Sequence, residues 1–464
     1  GLRIAAHDPS GGAVDQVRHL LVRRNRIAER SALSVLAACG AVTPKEDGEP
    51  STHHVEFARN RLDSAAPQMA SEGWEVEVSG KRYRPAGTFS WHVASGIDWF
   101  ELSGSFNFDG IEVGMPSLLE AIERGDSSVQ LPDGSLGILP ADWARQMAPM
   151  IELAQRSDGK LRYGRIQVAL LDALLAGQPR TEVDEAFEKI REELSRGEQP
   201  DAIEEPEGFK GTLRHYQREG LGWLAFLESL GVGGCLADDM GLGKTVQVLA
   251  LLVRRQAVMR EQGVPHRPSM VVVPKSLIFN WMQEAAKFTP SLRVHNHTGQ
   301  TRAEGTQSLA DTDLILTTYG TLRRDALQHR EFEFDYVVLD EAQAIKNATS
   351  QAAKACRLLR ARHRLAVTGT PVENHIGELW SIFEFLNPGQ LGSSGRLKRF
   401  LMGGRGGSAS GVVARAVRPY LLRRTKSQVL TDLPEKTEQT LFCELTGPQR
   451  IAYDELKEHY RREL

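Results

Sequence analysis

The sequence predicts an α/β protein: a parallel sheet covered by helices on both faces in the second half of the chain, preceded by an α+β region. Three observations carry that prediction. After Gly211, short apolar runs recur at 234–237, 270–273, 314–316, 336–339 and 365–367, each followed by a loop and a helical pattern. Near-continuous apolar strands alternating with helices mark a parallel sheet buried on both faces. Earlier in the chain the rhythm differs, because Glu75-Val76-Glu77-Val78 and residues 98–108 alternate apolar and polar side chains, as half-buried antiparallel strands do. The composition, 41% hydrophobic and 25% charged over 464 residues, belongs to a folded chain of several domains and excludes a disordered or fibrous one.

In chain order, helical periodicity is expected over 15–39 and 57–69, separated by the turn cluster 44–51, with a further strand at 129–131. Residues 1–178 thus form an α+β region without a catalytic constellation. His53-His54 and Trp91-His92 have no cysteine or carboxylate at ligand spacing, so they read as structural or surface residues, with metal binding as the alternative. Acids outnumber bases over 179–208, which is expected to be a solvated helix and linker; a regulatory acidic arm competing with nucleic acid for a basic groove is the alternative.

The net charge is −3, so a nucleic-acid site must be a local patch. Cys39, Cys235, Cys356 and Cys443 lie far apart with no CxxC pair, which argues against a disulfide framework or a zinc module and suggests core residues in a reducing compartment. No apolar run approaches the roughly 20 residues needed to span a bilayer, so a cytoplasmic protein without membrane contact is expected. The chain opens on Gly1 and closes inside the helical pattern of Ala452, Leu456, His459 and Tyr460 without a stop signal, so a fragment is expected.

Three strand tips carry chemistry. Asp238-Asp239-Met240-Gly241-Leu242-Gly243-Lys244-Thr245 lies between an apolar strand and a helical run. Gly241 and Gly243 free the backbone to turn its N–H groups toward phosphates, Lys244 reaches the β- and γ-phosphates, and the Thr245 hydroxyl ligates Mg²⁺. Asp340-Glu341-Ala342-Gln343 follows the strand at 336–339. Asp340 suits the metal and Glu341 the deprotonation of water, although adjacent acids there can also cap a helix. Thr368-Gly369-Thr370-Pro371, before Glu373-Asn374, has hydroxyls suited to sensing a γ-phosphate, yet alone it would read as a turn.

The order of Gln217, Asp-Asp-Met-Gly-Leu-Gly-Lys-Thr, Val273-Pro274-Lys275 with Asn280-Trp281, Thr317-Thr318-Tyr319-Gly320, Asp-Glu-Ala-Gln and Thr-Gly-Thr-Pro resembles helicase superfamily two. More narrowly, it is similar to the bacterial branch of the SWI/SNF (sucrose-nonfermenting) family of double-stranded-DNA translocases. The resemblance implies a RecA-like first lobe over 209–392, ATP and Mg²⁺ as ligands, and duplex DNA as partner, with protein partners left to the N-terminal region. It assigns adenine recognition to Gln217 and nucleotide binding to Asp239, Met240, Gly241, Leu242, Gly243, Lys244 and Thr245. It assigns coupling to Thr368, Gly369 and Thr370, and faces Pro274, Lys275, Asn280, Thr317 and Thr318 toward the DNA backbone. His215 stands where the family commonly has proline. Read from its own chemistry, Trp281 suits a core aromatic better than a base-stacking one.

From Arg396 to Lys426 there are nine bases and no acid, a sequence-independent phosphate footprint or a solvated basic face. Arg423, Arg424 and Lys426 are the DNA contacts expected there, within a basic loop and helical protrusion at 393–464, and 403–411 is expected to be a mobile Gly/Ser loop. Too few residues follow Thr370 for a second lobe, which in the resembling family supplies arginine fingers, so the expected fragment hydrolyses ATP slowly by itself. The function expected is an ATP-dependent double-stranded-DNA translocase; the alternatives are a nucleic-acid-binding scaffold with ATP as a regulatory ligand, or an RNA helicase.

Overall fold

The computed structural model describes residues 12–15, 20–23, 25–42, 45–46, 49–50, 62–78, 80–140, 143, 147, 150–157, 159–178, 180–196, 200–299, 311–370, 376–403, 408–429 and 444–463. It divides into two units, Gly1–Arg423 and Arg424–Leu464. Among the described residues no helix is long and apolar enough to cross a membrane.

The predicted parallel sheet is present. Its strands are β1 (Gly234–Leu236), β2 (Ser269–Val273), β3 (Val294–Asn296), β4 (Leu314–Thr318), β5 (Glu333–Asp340), β6 (Arg360–Val367) and β7 (Leu421–Leu422). They stand in the order β3-β4-β2-β5-β6-β1-β7, with every pairing parallel. Alternate residues face two cores. Leu236, Val271, Val273, Leu316, Val338 and Val367 pack toward α1 (His215–Leu230), α2 (Lys244–Glu261) and α3 (Ile278–Phe288). Cys235, Met270, Val272, Ile315, Val337, Leu339 and Ala366 pack toward α4 (Tyr319–His329) and α5 (Gln351–Leu358). Burial on both faces is why these strands read as unbroken apolar runs. β6 stands between the strand before the phosphate loop and the strand bearing the acids, which is the RecA-like arrangement expected. Cys39, Cys235 and Cys356 are buried free thiols, while Cys443 lies outside the described residues.

Two strands of this sheet went unpredicted. β3 reads Val-His-Asn and β7 is two residues long, so neither shows a periodicity. β7 corrects the boundary at 392. After α6 (Ile376–Leu386), α7 (Ser394–Gly403) and α8 (Ser408–Val417), the chain returns to the sheet, pairing Cys235 with Leu421 and Leu236 with Leu422. The Trp223 indole N–H, donating to Pro419 O at 3.1 Å, fixes that return. α8 begins inside the expected mobile loop, of which 404–407 lie outside the described residues.

The accessory region folds around the hairpin Phe89–Ser95 and Trp99–Phe108. The alternating burial of Trp99–Phe108 sends Phe100, Leu102, Phe106 and Phe108 into one core, with edge-on pairs such as Phe89–Phe106 at 4.9 Å. Helical periodicity over 15–39 overreached. Strands Gly12–Asp15 and Leu20–Arg23 pair antiparallel, and the helix Arg26–Ala38 starts only after Asn25, whose Oδ1 accepts from Ala28 N at 3.1 Å. The second expected helix runs Leu62–Ser71. Trp91 is a core residue and His92 pairs with Glu182 at 3.2 Å, whereas His53 and His54 lie outside the described residues.

The span 179–208 holds the expected helix, at Glu185–Arg196, and a strand beside it. Thr181–Val183 adds a parallel strand beside Trp91–Val93. The Asp184 carboxylate accepts from Phe187 N at 2.8 Å and from the Ser95 hydroxyl at 2.8 Å, starting the helix Glu185–Arg196. Phe187 is fully buried and meets Phe100 edge-on at 5.1 Å. The acidic count concealed these roles because capping and packing depend on single positions, not on composition.

The apolar helix Val168–Leu175 packs on α8. Beside it, Arg396 donates to Ala154 O at 3.1 Å and Arg399 pairs with Glu152. Burial raises the Asp172 carboxyl, and Arg191 and Arg415 partly offset that. Part of the basic run therefore also bonds to the accessory region, with Arg396 half-buried and Arg399 still exposed. In the second unit, the expected amphipathic helix spans Gly447–Glu463 and exposes Ile451, Tyr453, Leu456 and Tyr460.

Candidate functional site: a phosphate loop facing two carboxylates

The sheet register assembles the site. Val367 at the end of β6 pairs with Leu236 on one side and with Asp340 on the other. The strand leading into the phosphate loop and the acidic strand tip are therefore two strand spacings apart, about 10 Å, at the same carboxyl end of the sheet. Lys244 and Asp340 lie close enough for the ammonium to pull the carboxyl's pKa down.

Gly241 and Gly243 have φ of 87° and 75°, in the left-handed region that side chains avoid. A Cβ on Gly243 would stand 2.4 Å from Gln217 Nε2. Gln217 is the brace there: its Oε1 accepts from Arg214 N at 2.9 Å and its Nε2 donates to Leu242 O at 3.1 Å, while the Tyr216 hydroxyl donates to the same carbonyl at 3.2 Å. Asp238 is fully buried and accepts from Gln247 Nε2 at 3.3 Å. Lys244 folds back to donate to Asp238 O at 2.6 Å, and Met240 stands exposed at the loop's tip. Asp239 and Thr245 are half-buried at the two ends of the loop.

Asp340 is buried, accepting from Trp281 Nε1 at 2.8 Å on Oδ2 and from Glu341 N at 2.9 Å on Oδ1; the Tyr319 hydroxyl donates to its carbonyl at 2.7 Å. Burial pushes the Asp340 carboxyl above the ordinary carboxylate range. The Trp281 and Glu341 N–H groups pull it partly back, and the Glu341 charge pushes it up. A buried carboxyl raised in this way favours folding while protonated, and that contribution is lost as pH rises through its folded pKa. Replacing Trp281 with Phe removes a hydrogen bond worth ~1 kcal/mol, which corresponds to ~0.7 pH unit. In the protein free of nucleotide and metal, the titration of the Asp340 carboxyl should move to higher pH by about that amount, and an unshifted titration would take Trp281 off the carboxylate.

Glu341 has φ 48°, a left-handed conformation that costs a non-glycine residue about 1–3 kcal/mol and concentrates at functional positions. Gln343 Nε2 donates to Glu341 Oε2 at 2.7 Å, and the buried Thr368 hydroxyl donates to Gln343 Oε1 at 2.8 Å. Thr368 N also donates to Leu236 O at 3.1 Å, and Thr370 N to the Thr368 hydroxyl at 3.1 Å. Thr368 thus reaches Glu341 through Gln343, with Gly369 half-buried beside it; Pro371, Glu373 and Asn374 lie outside the described residues.

The residues expected at DNA divide. Lys275, Asn280, Arg423 and Lys426 are exposed, with Asn280 Nδ2 donating to Glu284 at 3.2 Å, and Pro274 is half-buried. Thr317 corrects the expectation, because it is buried and its hydroxyl donates to His297 O at 3.1 Å. Thr318 instead caps α4, accepting from Thr321 N at 3.1 Å. Arg424 is 9% exposed, too buried to stand as an open phosphate contact. Sequence reasoning missed the anchoring roles of Tyr216, Trp281 and Tyr319. Gln343 alone had a local signal, its place in Asp-Glu-Ala-Gln.

The donor set fits a nucleoside triphosphate with a hard cation: two left-handed glycines and a helix N-terminus for phosphates, and a hydroxyl and a carboxylate oxygen for the metal.

Comparison with known proteins finds relatives described as ATP-dependent. YwqA of Bacillus subtilis (strain 168), to which an ATP-dependent helicase/translocase activity is ascribed, is 41% identical over 257 residues, covering 53% of this chain and 27% of that protein. The TATA-binding protein-associated factor MOT1 of Saccharomyces cerevisiae is 39% identical over 272 residues, covering 53% of this chain and 15% of that protein. The chain thus spans about a quarter or less of these relatives' lengths. A solved SWI2/SNF2 ATPase core of Sulfolobus solfataricus in complex with double-stranded DNA is 39% identical, covering 56% of this chain and 55% of that one, with a TM-score of 0.44. The model of the SNF2-related domain matches residues 216–463, more than half of the sequence, and the chain belongs to that family.

Proposed function

We propose that this chain carries the ATP-binding lobe of a motor that hydrolyses ATP to move along double-stranded DNA. The observation that carries this reading is the pairing of Val367 with both Leu236 and Asp340, which sets the phosphate loop opposite the acid pair. Lys244 leaves the Asp238 carbonyl to meet the β- and γ-phosphates, and Gln217 would recognise the base. Thr245 and Asp340 would hold Mg²⁺, which when bound neutralises charge on the phosphates. Glu341, braced by Gln343, accepts the proton of the attacking water. Thr368 conveys the state of that carboxylate to the loop after β6.

Family membership and the exposed Lys275, Asn280, Arg423 and Lys426 support duplex DNA as the track, since such contacts neutralise phosphates irrespective of sequence. A cytoplasmic, nucleoid-associated location belongs to the same reading, with the accessory region as the surface for protein partners. In the test, ATP turnover by the full-length protein is measured with duplex DNA, with duplex RNA and with neither. Stimulation by duplex DNA alone is expected. Stimulation by RNA alone would make it an RNA helicase, and no response to either would leave ATP as a regulatory ligand. In the Lys275→Ala/Arg423→Ala variant, the slope of log affinity for duplex DNA against log salt should flatten by about two. An unchanged slope would assign both residues to protein contacts.

A further inference from the structure

Away from the phosphate loop, two histidines and an aspartate converge in the interior. His297 follows β3, its N–H donating to Leu316 O at 2.8 Å, and Asp325 and His329 lie four residues apart on α4. That spacing puts the latter two on one helix face. All three are nearly withdrawn from solvent, at 2%, 4% and 3% exposure. His297 Nε2 lies 3.3 Å from Asp325 Oδ2, and the His297 and His329 rings are 5.2 Å apart at 71°. One ligand atom from each residue lies within 4.8 Å of the other two. The Phe334 ring meets that of His329 edge-on at 6.3 Å.

We propose that His297, Asp325 and His329 form a structural site for a borderline divalent cation of the Zn²⁺ class. Two imidazoles and one carboxylate are the donors such ions take, whereas Mg²⁺ prefers oxygen alone. Tetrahedral ligands about 2.0–2.2 Å from zinc stand roughly 3.3–3.6 Å apart, so rotations closing the triangle by about an ångström complete the site. The cation offsets the cost of burying the Asp325 carboxylate. Three protein ligands leave a fourth position for water or for His295, whose ring lies 6.0 Å from that of His297 and whose Nε2 has no hydrogen-bond partner among the described residues. The cation would tie the turn after β3 to α4, next to Thr317 and Thr318.

The test measures zinc bound to the full-length protein, after chelation and Zn²⁺ loading, by elemental analysis and competition with a chromogenic chelator. The unsubstituted protein should hold one equivalent more than His329→Ala or Asp325→Asn, and His329→Cys, which keeps a zinc ligand, should retain it. Lys244→Ala should hold the same zinc as the unsubstituted protein, separating this site from the nucleotide site. Zn²⁺ should raise the Tm of the chelated protein and leave that of His329→Ala unmoved. If the unsubstituted protein takes up no tightly held zinc, the proposal is overturned whether or not the variants fold. Equal zinc in the unsubstituted protein, His329→Ala and Asp325→Asn overturns it as well, and leaves the cluster a buried imidazole–carboxylate pair.

Discussion

Replacing Glu341 with Gln is expected to leave ATP binding intact and to lower turnover by about 10²–10⁴-fold, the usual contribution of a positioned general base. The substitution isolates basicity. A glutamine oxygen can still accept from Gln343 Nε2, now at 2.7 Å from Glu341, and the backbone at φ 48° is unaffected. Neighbouring Asp340 keeps its bonds to Trp281 and to the residue 341 amide. ATP affinity by calorimetry and turnover at saturating duplex DNA, both on the full-length protein, separate the two quantities. Turnover within a few-fold of the unsubstituted enzyme would take the base role from Glu341.

A second large effect is expected far from the chemistry. Arg255 on α2 reaches the fully buried Asp335 on β5 with two hydrogen bonds, Nε to Oδ2 at 3.0 Å and Nη2 to Oδ1 at 2.7 Å, and donates to Glu228 on α1 at 2.6 Å. Burial pulls the guanidinium's pKa down, and the carboxylates of Asp335 and Glu228 more than reverse that, so the pKa ends raised and the group stays charged. Asp335→Ala takes away the bidentate partner of a buried cation, which should cost about 3–5 kcal/mol. The double change Arg255→Met/Asp335→Leu should recover most of that loss, because removing both charges removes the desolvation cost as well. Chemical denaturation of Arg255→Met, Asp335→Leu and their double variant, beside the unsubstituted protein, forms a double-mutant cycle. A loss below about 1 kcal/mol for Asp335→Ala would show that water reaches the pair, which is how exposed ion pairs behave.

The parts of this molecule legible in advance are those written in contiguous residues. Five of the seven strands of the parallel sheet announced themselves through apolar runs that a sheet covered on both faces demands. Gly241 and Gly243 announced the left-handed turns, and the acid pair followed an apolar strand into the crevice. Where composition stood in for position, the reading was incomplete. The acidic span 179–208 contributes a strand, a cap and the buried Phe187 to the accessory sheet. Arg396 and Arg399, read as part of a phosphate footprint or a solvated basic face, also bond Ala154 and Glu152, which a count of bases does not show.

By itself the sequence determined the order of the chemical groups and the strand tips on which they stand, because loop geometry and strand burial depend on neighbours a few residues away. Only the tertiary structure decided that Val367 would set Leu236 against Asp340, that the Trp281 indole would hold that carboxylate, and that Thr317 would turn inward to His297. Each of these is a hydrogen bond or a pairing between residues far apart in the chain. Its energy depends on the partner's distance and on the exclusion of water, which no local pattern encodes.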